Sequence, residues 1–180
     1  MGRLISVAVV ALAAALATGC AREQRMYVPK AVTLLERFDP AEMGALLGPG
    51  SHSIAGSAFM RQRGGGVVTC AGQEVALVPA TRYASERMRA TYGSTGPRAA
   101  VLPTYTISFT PDEPEFRVLA RRTRCDAQGF FAFDHLRPGS YFVTTRVSWT
   151  VANRQQGQLL MVRVDVPDDQ AGPARIVMTD

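Results

Sequence analysis

Residues 124–143 read RCDAQGFFAFDHLRPGSYFV, a run of aromatic residues framed by two turn signatures. Asp126-Ala127-Gln128-Gly129 has Asp first and Gly fourth, the pattern of a type I turn. Phe131 and Phe133 follow two residues apart, so in an extended chain they share one face. Arg137-Pro138-Gly139-Ser140 puts Pro and Gly at the central positions of a type II turn. Beyond it, SYFVTTRVSWTV aligns Tyr141, Val143, Thr145, Val147 and Trp149 at period two. The pattern predicts two aromatic-rich strands joined as a hairpin, with an apolar face that a second sheet must cover. The same spacing assigns Phe131, Phe133, Tyr141 and Trp149 to a core in preference to a platform for stacking on sugars.

The flanking sequence extends this reading. SIAGSAFMRQRGGG, residues 53–66, alternates until Gly64-Gly65-Gly66. That glycine run lacks the Lys-Ser/Thr ending of a phosphate loop and reads as a strand connection. EVALVPA is a short strand with Val75 and Leu77 inward, and PDEPEFRVLARRTRC a half-buried strand with Phe116, Val118 and Ala120 on one face. QLLMVRVDVP alternates through Leu160, Val162, Val164 and Val166, and ARIVMTD ends the chain with Ile176 and Met178. Two segments are helical: DPAEMGALLG, with Asp39 as N-cap, Pro40 first and Glu42 as capping-box partner, and YASERMRATYG, ending at Gly93. STGPRAAVLP between them and the following strand reads as a loop. Short strands at this spacing predict a mainly β chain, an antiparallel Greek-key β-sandwich with short helical segments.

The formal charge is +5, almost all of it arginine, with Lys30 the single lysine. The arginines are scattered apart from Arg121-Arg122-Thr123-Arg124, so a solvated basic face is expected and nucleic acid is not an expected partner. The two histidines, His52 and His135, lie in unrelated contexts without metal-ligand spacing, so no metal or other cofactor is expected.

The first twenty residues, MGRLISVAVVALAAALATGC, place Arg3 before an apolar run from Leu4 to Ala17, which reads as an export signal. Ala17-Thr18-Gly19-Cys20 resembles the lipobox of bacterial lipoproteins. That resemblance implies cleavage before Cys20 and acylation of its sulfur and new amino group. At about 0.8 kcal/mol per buried methylene, two or three acyl chains hold a protein at a membrane for its lifetime. Ala21 in the next position implies, by the same resemblance, the outer membrane with the domain facing the periplasm. Two cysteines then remain, Cys70 and Cys125. In an oxidising compartment a disulfide is the favoured reading, with a free thiol or a metal site as alternatives.

The motif D-x-x-G-F-F-x-F-x-x-L-x-P-G-x-Y-x-V, here DAQGFFAFDHLRPGSYFV, resembles the carboxypeptidase regulatory-like domain, a transthyretin-like (prealbumin-like) β-sandwich. GSAFMRQRGGGVVTCAGQEVALVPAT resembles the opening of that family. The resemblance implies a division into a signal (1–19), a lipidated tether with a short helix (20–53) and a sandwich (54–180) carrying an insertion at about 83–110. It implies a non-catalytic appendage, because neither histidine begins the H-x-x-E pair of a zinc carboxypeptidase. The C-terminal tyrosine-arginine-glycine-serine motif of transthyretin-like hydroxyisourate hydrolases is also missing. The expected role is therefore a structural or protein-interaction module at the membrane. A carbohydrate or cell-wall-binding module comes second and a periplasmic hydrolase third. Tyr83, Tyr92 and Tyr105, in or beside the insertion, are the candidate contact residues, since insertions on a rigid sandwich often carry recognition.

Overall fold

The computed structural model describes residues 28–180, so the signal and Cys20 lie outside the described residues. In chain order the elements are β1 (Val28–Thr33), α1 (Pro40–Leu46), β2 (His52–Arg61), β3 (Val67–Thr69), β4 (Glu74–Pro79), α2 (Arg82–Tyr92) and β5 (Arg98–Val101). They continue with β6 (Tyr105–Thr110), α3 (Pro114–Leu119), β7 (Arg121–Arg124), β8 (Phe130–Leu136), β9 (Gly139–Val151), β10 (Arg154–Val166) and β11 (Ala174–Met178). The fold is a mainly β sandwich, as the strand spacing predicts. One sheet is antiparallel, in the order β5-β10-β9-β4-β7. The other is built on β2, which pairs antiparallel with β8 and β3 and parallel with β11. A separate parallel pair joins β1 to β6. The two parallel pairs depart from an all-antiparallel expectation, and both bring together strands far apart in the chain, as parallel pairing requires.

The inter-sheet core sets Ile54, Ala58 and Met60 of β2, Phe131, Phe133 and Leu136 of β8, and Met178 of β11 against Val75, Leu77, Tyr141, Val143, Val147 and Leu160. Phe131 and Phe133 pack edge to face with centroids 6.3 Å apart. Gly56 is required at this contact, because a β-carbon there would lie 2.6 Å from the Phe131 ring and 2.7 Å from Ile176. Trp149 departs from the period-two assignment: it packs on this core but is only partly buried. Leu136 breaks the period of β8 and still points inward, because the pairing with β2 slips between His52 and Ile54 and His135 takes a positive φ of 57°.

The predicted hairpin of residues 130–149 is corrected. β8 pairs with β2 while β9 pairs with β4 and β10, so the chain at Arg137-Pro138-Gly139 crosses from one sheet to the other. Period-two patterning fixes which side chains point inward but not which sheet carries them. The crossing is pinned by the Tyr141 hydroxyl, 2.7 Å from the Arg137 carbonyl oxygen and 3.3 Å from that of Leu46. The first turn does form: the Gly129 amide donates to the Asp126 carbonyl at 3.1 Å, and Asp126 Oδ1 accepts from the amides of Gln128 and Phe130.

A third layer covers the outer face of the five-stranded sheet. Phe142, between two inward residues of β9, is 0% exposed, because it packs with Val78 and Met161 beneath Tyr83, Ala84 and Met88 of α2, Phe116 of α3, Met43 of α1 and Leu34. Helix α1 starts as predicted, with Asp39 Oδ1 accepting from the amides of Ala41 (2.8 Å) and Glu42 (3.1 Å). Helix α2 is capped by Thr81 and stopped by Gly93 in the left-handed region. Three further expectations are revised. STGPRAAVLP contains the edge strand β5, and the tether region contributes strand β1. Residues 114–119 are helical rather than extended: Pro114 occupies the first turn, and Phe116 and Ala120 are buried four residues apart while Val118 is 80% exposed.

The helical register makes a sharp prediction. Phe116→Ala should cost about 3–5 kcal/mol in denaturant unfolding, and Val118→Ala less than about 0.5 kcal/mol. Similar losses at both positions would restore the strand reading.

Candidate functional site

The expected contact residues are placed differently by the fold. Tyr83 is only 2% exposed, so it is not a surface contact. Its ring lies 5.1 Å from Phe38 and 5.3 Å from Phe116, centroid to centroid, in the outer cluster. Tyr92 is half-buried against the same cluster, and burial pushes its phenol up to about 12, the Thr144 hydrogen bond and nearby Arg146 acting the other way. Tyr105 pairs its backbone with Val28, and its side chain lies outside the described residues. Of the segment expected to be an exposed insertion, α2 belongs to a covering layer, β5 is an edge strand of the five-stranded sheet and β6 pairs with β1. Apolar residues at positions 83, 84 and 88 were the available signal, since they repeat with helical spacing.

The best-built polar cluster lies within that layer. Arg87 is buried, and its Nη1 donates to the Tyr83 hydroxyl (3.0 Å) and to Asp112 Oδ1 (2.9 Å). Its guanidinium carbon lies 3.9 Å from the Phe109 ring centroid and 4.9 Å from that of Phe116. Arg117 holds the other oxygen of Asp112 at 3.3 Å. These groups satisfy one another and fasten α2 to the β6–α3 connection, a structural role.

The Arg121–Arg124 cluster is likewise engaged. Arg121 donates to the His135 carbonyl (3.3 Å), Arg124 to that of Gly72 (3.0 Å), and Arg122 pairs with Glu74 and donates to the Arg117 carbonyl (2.8 Å). The arginines thereby fix and charge the edge strand β7, which discourages further strand addition there. Cys70 and Cys125 form a disulfide with Cα atoms 5.8 Å apart, both buried. His52 is buried, with Nε2 3.9 Å from Asp168 Oδ1, and His135 is exposed at the β8 bulge. Among the described residues no three His, Cys, Asp or Glu side chains gather as metal ligands.

The described residues also leave open surface. Two shallow cavities, about 260 Å³ beside Arg163 and Asp165 and about 230 Å³ among Leu102, Ile107 and Phe109, fall below the usual span of small-ligand pockets. The larger feature is the outer face of the sheet built on β2, which the third layer does not reach. Its floor is small: Ala55 pairs with Ala132 and Arg175, and Ser57 pairs with Phe130 and Val177. Phe130 is 57% exposed and Val177 49%, flanking Ser57 about 10 Å apart across two strand spacings. Half-buried Phe59 and exposed Val67 continue the apolar surface along β2 and β3, with Arg61, Asp134 and Arg175 around it. Alternation in β2 and β8 could have exposed this face, because the residues out of phase with the core include Phe59 and Phe130.

The raised Tyr92 phenol links the covering layer to pH. Below pH 10 folded and unfolded chains both keep the proton; between 10 and about 12 the unfolded chain releases it while the folded chain holds it. Stability should therefore fall over that interval, and Tyr92→Phe should flatten the fall. Unfolding midpoints measured across alkaline pH check this, and an unchanged slope in the variant would contradict the burial.

No family model and no curated protein matches the chain. Among solved structures, a crystal structure of a Pseudomonas aeruginosa protein, provisionally described as carbohydrate binding, is similar with a TM-score of 0.60. The two chains are 21% identical, and the match covers 82% of this chain and 100% of that one. At this identity the likeness shows a shared fold alone.

Proposed function

We propose that this chain is a non-catalytic recognition module, anchored through lipid on Cys20 at the outer membrane and facing the periplasm, that docks a protein partner on the open face of the β2 sheet. One observation carries the reading: Phe130, Val177, Val67 and Phe59 form an apolar surface over a floor of alanine and serine, rimmed by charged residues. An apolar centre with a polar rim is the anatomy of a protein interface. The surface follows the outer face of a sheet. The lipobox-like residues 17–20 support the anchor, and no helix among the described residues is long and apolar enough to cross a membrane. The 126–143 motif supports kinship with carboxypeptidase regulatory-like domains. A second reading, a glycan-binding module, is favoured by the provisional description of the structural neighbour.

A photoreactive residue at position 130 should give one discrete protein adduct in whole cells, and the same residue at exposed Arg89 none. Cys20→Ser should lose its acyl mass, leave the membrane fraction and lose the adduct. Equal labelling at both positions would remove the docking face. A Cys20→Ser protein still in the membrane fraction would remove the anchor.

A further inference from the structure

Strands β9 and β10 run past their neighbours. Pairing with β4 ends at Thr145 and pairing with β5 ends at Leu159, whereas the two long strands stay paired out to Val151 and Arg154. The result is a two-stranded ribbon closed by Ala152 and Asn153, both at positive φ, as a two-residue primed turn requires. Gly157 is fixed within it, since it has φ 122° and a β-carbon there would overlap the Val147 carbonyl.

One face of the ribbon continues the inward row of the sandwich after the core has ended. Cross-strand pairs on that face are Val147 with Gln158, Trp149 with Gln156, and Val151 with Arg154. Trp149 is anchored on the core with part of its surface open, and Gln156, Val151 and Arg154 are exposed. Gln158 Oε1 is buried and has no hydrogen-bond partner among the described residues. Buried acceptors are almost always satisfied, so an orphan oxygen beside an open tryptophan marks a place where a donor is wanted.

We propose that this ribbon face is a binding site for a pyranose glycan. An indole held at its base stacks on the C–H face of a sugar ring without losing much freedom. A primary amide offers a donor and an acceptor in one plane, which matches two neighbouring sugar hydroxyls, and Gln156 stands directly across from Trp149. Gln158 is half-buried next in the same row, and a rotation of its side chain would bring Oε1 out to a hydroxyl proton at the next ring position. Arg154, one pair further along, reaches a ring substituent and favours a carboxylate there. The site rests on the glycan reading and is separate from the open β2 face, because the row of Trp149 belongs to the inner surface of the other sheet.

Trp149 is the only tryptophan in the chain, so its emission reports this site and no other. The mature acylated protein in detergent is titrated with neutral hexose, N-acetylglucosamine and uronate oligomers, following both heat and tryptophan fluorescence. A saturable emission change is expected with at least one series. Gln156→Ala should weaken that binding about tenfold, roughly one lost hydrogen-bonding group, without moving the thermal midpoint. Gln158→Met should weaken it while leaving the unliganded fold at least as stable. Heat of binding with a silent Trp149 and unaffected variants would overturn the site and leave the glycan reading standing. No saturable signal of either kind across the three series would overturn both.

Discussion

The five-stranded sheet has to be buried on both faces, and the rest of the molecule follows from that constraint. Neighbouring residues Phe142 and Val143 of β9 point to opposite faces, and neither has any exposed surface. Burying a side chain of this size stabilises by roughly 1.5–3 kcal/mol, so each face needs its own cover. The β2 sheet supplies one and helices α1, α2 and α3 supply the other, with Leu34 just after β1. The stretch between β4 and β7 therefore belongs to the architecture. Arg87, the charged side chain buried among its described residues, is admitted because Asp112, Tyr83 and two further aromatic rings receive it.

Much of the sandwich is legible in residues 124–143 and in the alternation of residues 53–61, 74–78 and 158–166. The inward set Ile54, Val75, Leu77, Phe131, Phe133, Val143 and Leu160 follows from period two alone. Sheet membership does not. Phe133 and Tyr141 both point to the inter-sheet core, one from each side, and local sequence records only that both are inward. Phe116-Arg117-Val118 illustrates a different limit. Its apolar residues fit period two as well as a helical turn, and Pro114 decided for the helix. The expectation at Tyr83 fails because an inserted segment need not be exposed, and Phe142, next to inward Tyr141 and Val143, signals a second face in need of cover.

This architecture separates covering surfaces from open ones. Helices occupy one outer face, and arginines 121, 122 and 124 tie down the β7 edge. Among the described residues, the outer face of the β2 sheet and the ribbon beyond Thr145 stay open. The first is flat and apolar, suited to a protein surface. The second pairs a seated indole with amides and a guanidinium, suited to a ring carrying hydroxyls. If the anchor proposed at Cys20 holds, a module with two such surfaces would bring a protein and a glycan together near a membrane.

Native-state hydrogen exchange tests the double-sided burial most directly. If the helical layer is integral, the backbone amides of Arg87, Met88 and their α2 neighbours should exchange through the same global opening as those of Leu77 and Phe142. Protection in both should then respond alike to added denaturant. Rapid exchange in α2, with the central strands still protected, would mean that the helices are a detachable insertion and that the sheet stands without them.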